Sequence, residues 1–240
     1  MIRINARGKK VLIIPDTHEP HTHKDAYKFL KAIKSKLKPD LVIHLGDEVD
    51  GAGISFHDKI PEMDNASREL IKAKKGLDEL EKIFKEMYIC ESNHGSLIYR
   101  RMKSHGIPMD YIKPLKELYE KPNWHWHEDI IIDTDLGPVY FCHGKSATYG
   151  RLAKEMGCSA VQGHFHTKME ITWNMSAMNE RFNMFCGCLV DRDHLAFSYA
   201  KNNMPLFQLG CGYISRHGYP NLVRMNLNKK GRWDNKLPSF

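Results

Sequence analysis

Apolar positions mark out the elements along the first ninety residues. The run Val11–Ile14 is as long as a buried strand and ends at once on Pro15 and Asp16. From residue 24 to 38, Ala26, Phe29, Leu30, Ile33 and Leu37 recur every three or four positions with lysines opposite, which predicts an amphipathic helix stopped by Pro39 and Asp40. Residues 41–45 read as a second buried strand that halts at Gly46. A second helical pattern covers about residues 64–87 through Leu70, Ile71, Leu77, Leu80, Ile83, Phe84 and Met87, and residues 88–90 form a short third strand. Strands alternating with helices predict a parallel α/β layer. Residues 96–120 read as helical, interrupted by Pro108 and Pro114. Beyond them the chain turns strand-rich, at 130–133, 139–142, 160–162, 169–173 and in pieces from 185 to 227, with a hairpin turn at 136–138. The expected fold is α/β: one domain over residues 1–240, with two mixed β-sheets face to face, helices outside, and a helical and aromatic insertion at about 97–127.

Composition narrows the class. The 240 residues are 42% hydrophobic and 27% charged, a globular balance, and 36 basic against 29 acidic residues leave a net charge of +7. That excess favours anionic partners. No apolar run approaches the roughly 20 residues that span a bilayer, and the basic N-terminus lacks a signal peptide's apolar stretch. The expectation is a cytoplasmic protein with no membrane partner. Six cysteines show no CxxC pair and sit among apolar residues, so they read as reduced, buried thiols; a structural zinc site is the alternative their spacing supports poorly.

Chemistry collects just past the predicted strand ends. Asp16 and His18 stand in P-D-T-H, Asp47 and Asp50 in L-G-D-E-V-D, Asn93 and His94 in S-N-H-G, His143 in F-C-H-G, and His164 and His166 in Q-G-H-F-H. Ligands of open α/β sheets bind beyond the carboxyl ends of the strands, so five loops far apart in sequence can meet there. Imidazoles, carboxylates and one amide suit divalent Mn, Fe, Zn, Co or Ni, and they are too many for one tetrahedral ion. Each motif alone reads equally well as a turn, a helix cap or a hydrogen-bonded histidine. Their order, each near a strand end, is what distinguishes them.

The series D-x-H, G-D-x-x-D, N-H, H, G-H-x-H resembles the calcineurin-like metallophosphoesterase superfamily over residues 11–173. F-C-G-C-L-V-D, F-S-Y-A-K-N-N and L-G-C-G-Y-I-S in the tail resemble compact enzymes of this type encoded by bacteriophages, which would place the protein in the host cytoplasm. The resemblance implies a four-layer αββα sandwich and two divalent ions, Mn foremost with Ni, Co, Fe, Zn or Mg as alternatives. It implies Asp16, His18 and His166 on the first metal, Asn93, His143 and His164 on the second, and Asp47 bridging both. It makes His94 the catalytic proton donor to the leaving group and Asp50 the acid that orients it. Hydrolysis would proceed by attack of hydroxide held between ions about 3.5–4 Å apart. Two positions depart from the family pattern: Ser92 replaces the glycine before Asn93, and Gly95 replaces the acid after His94. Neither is a ligand position, so the metals should survive, while the placement of His94 depends on what stands in for them.

The substrate implied is a phosphate ester, with DNA or RNA favoured by the charge; a phosphomonoesterase for nucleotides, nucleic-acid ends or phosphoproteins is the alternative. A non-catalytic scaffold would be expected to lack ligands, and every ligand position is filled. Of the basic clusters (7–10, 34–38, 72–75, 99–103, 229–230), Arg100 and Arg101 follow His94 on a predicted helix and are candidates to bind the substrate phosphate. Tyr99, Tyr111, Tyr119, Trp124 and Trp126, interleaved with lysine and arginine, read either as base-stacking residues or as core. Residues 124–127 read as a strand with both tryptophans on one face. His21, His23, His57, His105 and His217 match no position of the pattern and read as surface or supporting residues. The sequence leaves the oligomeric state open.

Overall fold

A computed structural model describes residues 1–56, 62–191, 193 and 206–239. In chain order the strands and helices are β1 (Ile2–Asn5), β2 (Val11–Ile14), α1 (Ala26–Leu37), β3 (Leu41–His44), α2 (Ala66–Ile83), β4 (Met87–Cys90), α3 (Leu97–Ser104), α4 (Leu115–Leu118), β5 (Trp124–His127), β6 (Ile130–Thr134), β7 (Gly137–Cys142), α5 (Arg151–Met156), β8 (Ser159–Gln162), β9 (Met169–Met175), β10 (Glu180–Cys186), β11 (Gly210–Ile214) and β12 (Pro220–Arg224). The strands build two mixed six-stranded sheets, ordered β12-β11-β2-β3-β4-β5 and β1-β6-β7-β8-β10-β9. In the first, β2 to β5 run parallel; in the second, β7 is parallel to β8 and β8 to β10. Helices flank the sheets, as the α/β sandwich expectation requires.

The pleat explains why β2 reads as an unbroken apolar run. Val11 and Ile13 join the core between the sheets, with Ile43, Ile132, Phe141 and Val161. Leu12 and Ile14 face the other way, into a core with Phe29, Leu30 and Leu77 of α1 and α2. Both faces are covered, so no polar residue is tolerated. On the second sheet's outer face, Leu152 and Ala153 of α5 pack on Tyr140 and Ala160. In α1 the buried positions Ala26, Phe29, Leu30, Ile33 and Leu37 are the apolar stripe of the sequence, and Lys38 closes the helix in a left-handed conformation before Pro39.

Some local expectations shift. Helix α2 ends at Ile83, where Phe84 turns extended, and Met87 opens β4 instead of closing the helix. Leu70 and Ile71 are exposed; the buried stripe is Glu69, Ala73, Leu77, Leu80 and Ile83. Glu69 tolerates burial because its carboxylate accepts from the backbone N–H groups of Ala52 (2.8 Å) and Gly53 (2.6 Å). Strand β1, with only Ile2 and Ile4 as apolar positions, gave no sequence signal and pairs at an edge with β6. Within 97–127, Tyr119 and Trp124 are core, and the Trp124 indole donates to the Phe84 carbonyl (3.2 Å), whereas Tyr111 is exposed. The stretch F-S-Y-A-K-N-N and His57 lie outside the described residues.

Candidate metal centre

Every motif sits just past the carboxyl end of a strand. Asp16 and His18 follow β2, Asp47 and Asp50 follow β3, Asn93 and His94 follow β4, His143 follows β7, and His164 and His166 follow β8. Three of these strands belong to one sheet and two to the other, so the residues meet where the two sheets share an end. The tail closes the arrangement from behind. Asp16 bridges to Cys188, the Leu189 N–H donates to the Asp16 carbonyl (2.8 Å), and the Gln208 N–H donates to the His166 carbonyl (2.8 Å).

Two sets of donor atoms gather, each within 4.8 Å of one another: Asp16, His18 and His166; and Asp47, His143 and His164. His166 Nε2 lies 3.0 Å from Asp16 Oδ2. Asp47 Oδ2 lies 3.0 Å from His143 Nε2 and 3.4 Å from His18 Nε2, so Asp47 stands between the sets. The remaining ring nitrogens are fixed from outside. His143 Nδ1 donates to the Leu45 carbonyl (2.9 Å) and His18 Nδ1 to Asp50 Oδ1 (2.8 Å), which turns each Nε2 toward the cluster. His94 Nδ1 donates to the Asp50 carbonyl and lies 3.6 Å from Asp50 Oδ1, while its backbone N–H donates to Asp47 Oδ1 (3.0 Å). The turn carrying His94 also carries Asn93, whose carbonyl accepts from Arg100. His18, Asp47 and His164 hold the left-handed backbone, at φ 50°, 49° and 67°. Such strain costs of order 1–3 kcal/mol per residue and persists at sites that need a particular side-chain direction.

The electrostatics call for positive charge at the centre. Asp16 and Asp47 are 0% and 1% exposed. Burial opposes ionisation of Asp47, but the charge of His143 and hydrogen bonds from His143 and His18 outweigh it and hold the carboxyl well below its usual range. Burial likewise opposes protonation of His18 and His143, yet the carboxylates at Asp47, and at Asp50 or Asp16, push them up to about 10 and about 9. The imidazoles thus take up the protons that the carboxylates demand. Divalent cations would supply the same charge and release those protons. The mixed N/O donor set and its charge fit such cations. Close packing serves the same end: a Cβ added at Gly163 would come within 2.4 Å of Asp16 Oδ1.

A family model for calcineurin-like phosphoesterases matches residues 9–156, more than half of the chain. The chain belongs to the calcineurin-like phosphoesterase family. No curated protein sequence matches it. Among solved structures, vacuolar protein sorting 29 from Cryptosporidium parvum is 15% identical over 96% of this chain and 97% of its own, with a TM-score of 0.54. Vps29 of Chaetomium thermophilum is 11% identical over 95% and 92% (TM-score 0.48), and YfcE, a phosphoesterase from E. coli, is 12% identical over 90% and 100% (TM-score 0.37). At 15% identity the likeness to the first of these is one of fold.

The two departures from the pattern of this phosphoesterase family are coupled in space. The Ser92 hydroxyl accepts from the Gly95 N–H (3.0 Å), closing the turn that presents Asn93 and His94. A Cβ at Gly95 would meet Ser92 Oγ at 2.9 Å and the Glu48 carboxylate at 3.5 Å. Glu48 is 1% exposed; the Trp126 indole donates to its Oε1 (2.9 Å), its Oε2 has no partner among the described residues, and burial pushes its carboxyl up to about 7. A carboxyl group already fills the space an acid at 95 would reach. Sequence reasoning passed over Glu48, whereas His21, read as a surface or supporting residue, is buried with its Nε2 3.6 Å from Asp50 Oδ2. Buried His44, its pKa lowered to about 4 by burial, contacts the Thr17 hydroxyl (3.2 Å). Arg101 does not reach into the cluster: it donates to the Ile54 carbonyl (2.7 Å) and to that of Ser55, tying down the loop that follows Asp50. Arg100 donates to the Asn93 carbonyl (2.6 Å).

Proposed function

We propose that the protein is a dinuclear-metal-dependent phosphodiesterase acting on DNA or RNA. The reading rests on one observation, the convergence of the Asp16, His18, His166 set with the Asp47, His143, His164 set through Asp47. Asp16, His18 and His166 would hold one cation, His143 and His164 with Asn93 the other, and Asp47 both. Bound there, a pair of divalent cations neutralises the phosphate and lowers the pKa of water toward neutrality. The chain's own residues do the rest. The Leu45 carbonyl and Asp50 fix the rings of His143 and His18 through Nδ1, so that Nε2 of each would be the atom to hold a cation. The Asp50 carbonyl anchors His94 Nδ1 and leaves Nε2 to donate a proton to the leaving oxygen. The Asp50 carboxylate, 3.6 Å from that ring, helps to orient it. The positive balance of the chain and the resemblance of its tail to compact phage enzymes support nucleic acid as the substrate.

The test combines metal analysis with paired substrates. Purified protein loaded in turn with Mn, Ni, Co, Mg and Zn should bind two ions per chain, with Mn giving the highest activity, and should hydrolyse a bis-aryl phosphate faster than a mono-aryl one. It should also cleave labelled oligonucleotides. Preference for the monoester would replace this reading with a phosphomonoesterase; failure to bind metal would remove it.

A further inference from the structure

Two exposed aromatic rings near the cluster each carry a cation that no carboxylate neutralises among the described residues. The first is Phe56, half open to solvent at 50% exposure, with the Arg101 guanidinium 4.0 Å from its ring centre and that of Arg100 5.8 Å away. These arginines donate to the carbonyls of Ile54, Ser55 and Asn93, beside the turn that carries His94. The second is Tyr149, 48% exposed, with Lys168 Nζ 4.2 Å from its ring centre. Lys168 donates to the Ala147 carbonyl and lies 5.7 Å from the ring of Phe165, which packs edge-on against His164 with centroids 5.0 Å apart. One aromatic–cation pair is therefore tied to the turn of Asn93 and His94 through Arg100, and the other is linked to His164 through Phe165. Phe56 and Tyr149 are each about half exposed, although the cation of each lies over one ring face and Tyr149 also packs edge-on against Phe185 with centroids 5.5 Å apart. A half-exposed ring can stack on any nucleobase, and cations beside it can hold the backbone phosphates. A duplex keeps its bases stacked inside and cannot use both.

We propose that Phe56 and Tyr149 are base-stacking subsites for a single-stranded nucleic acid whose phosphodiester reaches the Asp16–Asp47 cluster. The proposal rests on the diesterase reading and adds the strandedness and base contacts of its substrate. The test is binding to protein stripped of metal by a chelator, which cannot turn over its ligand. A fluorescein-labelled oligothymidylate of about ten residues is titrated by anisotropy at low salt, beside an abasic oligomer of equal length and charge. Stacking lost on alanine substitution is worth about 1–3 kcal/mol per base, so Phe56→Ala and Tyr149→Ala should each weaken oligothymidylate binding about tenfold. Neither should change binding of the abasic oligomer, and Phe56→Tyr and Tyr149→Phe should restore affinity. Phe56→Leu and Tyr149→Leu, which keep apolar bulk without a ring face, should behave as the alanine variants do and serve in their place if those fail to fold. Wild-type protein that does not bind oligothymidylate, variants that bind it normally, or equal losses on the abasic oligomer would overturn the proposal. Ring-dependent binding without hydrolysis in manganese would leave the subsites standing and remove the diesterase reading. Hydrolysis of bis-aryl esters without ring-dependent binding would do the reverse.

Discussion

Removing the His94 ring tests the proton-transfer step separately from the metals. His94 touches the cluster through its backbone N–H, on Asp47 Oδ1 at 3.0 Å, and that contact survives His94→Ala. Two ions per chain should therefore remain. The ring is anchored at Nδ1 by the Asp50 carbonyl, so its contribution is a positioned donor at Nε2. General acids contribute about 10²–10⁴-fold, or roughly 3–5 kcal/mol of barrier. The His94 side chain is 29% exposed, so water can replace part of its role, and the lower end, about 10²-fold, is expected for an unactivated alkyl diester. An activated aryl leaving group departs without a proton, and there the loss should be only a few-fold. The assay is kcat for the two ester classes at matched metal loading, checked by elemental analysis. Equal losses on both classes would refute the acid role, and loss of an ion would show that the ring itself holds metal.

Four further perturbations address the frame around it. Gly163→Ala places a methyl 2.4 Å from Asp16 Oδ1 and should lower metal content from two ions towards one per chain; two tightly held ions after dialysis would refute that reading. Asp47→Asn removes the carboxylate that both donor sets share and should lose metal together with activity by elemental analysis; normal metal content would refute its bridging position. Gly95→Asp crowds Ser92 Oγ and Glu48 and should lower turnover, and adding Ser92→Gly should recover part of it; purely additive losses in the double-mutant cycle would show that the two positions are uncoupled. Asp25→Asn breaks the two-point pair with Arg232 (2.7 and 2.6 Å), which holds the Asp25 carboxyl well below its usual range. With a depressed folded pKa, the stabilisation is present above the unfolded value near 3.9 and lost as pH falls through the folded one. Urea denaturation at pH 7 should show a cost of about 1–2 kcal/mol, discounted because the Arg232 side chain is half exposed, and the gap to wild type should narrow below about pH 4. A constant gap would refute it.

The frame of the site was legible because burial on both faces leaves a parallel strand no choice of residue. Val11–Ile14 announces itself as apolar throughout, and the first polar residue after it, Asp16, must then lie at the strand's carboxyl end. Asp47 and His94 likewise lie past the carboxyl ends of parallel strands, although β3 ends on the buried polar His44 and Glu91 is the first polar residue after Cys90. Once β2, β3 and β4 run parallel in one sheet and β7 and β8 in the other, the polar residues after them are brought to one end of the sandwich. Pattern was a weaker guide where a residue's partners come from elsewhere. Glu69 and Glu48 are buried charged groups that look like surface residues in sequence. Backbone amides 16 and 17 residues away satisfy the first, and Trp126, 78 residues away, holds one oxygen of the second.

The aromatic and basic residues show the same limit from the other side. Local density of tyrosine, tryptophan and lysine over 97–127 is compatible with a substrate surface or with core, because density measures only neighbours along the chain. Trp124 and Tyr119 spend their rings on the core that α2 covers, since a strand at the edge of the sheet still needs one apolar face. Arg101 donates to two backbone carbonyls at a loop end and so ties that loop while its guanidinium lies against Phe56, a pairing no local pattern announces. Among the exposed rings, Phe56 and Tyr149 stand singly in sequence, and their cations come from α3 and from the loop before β9. Such pairs exist only after folding has joined separate segments. Ligand motifs fixed by strand ends can therefore be read directly, whereas the surface that selects the substrate has to be read from the assembled sandwich.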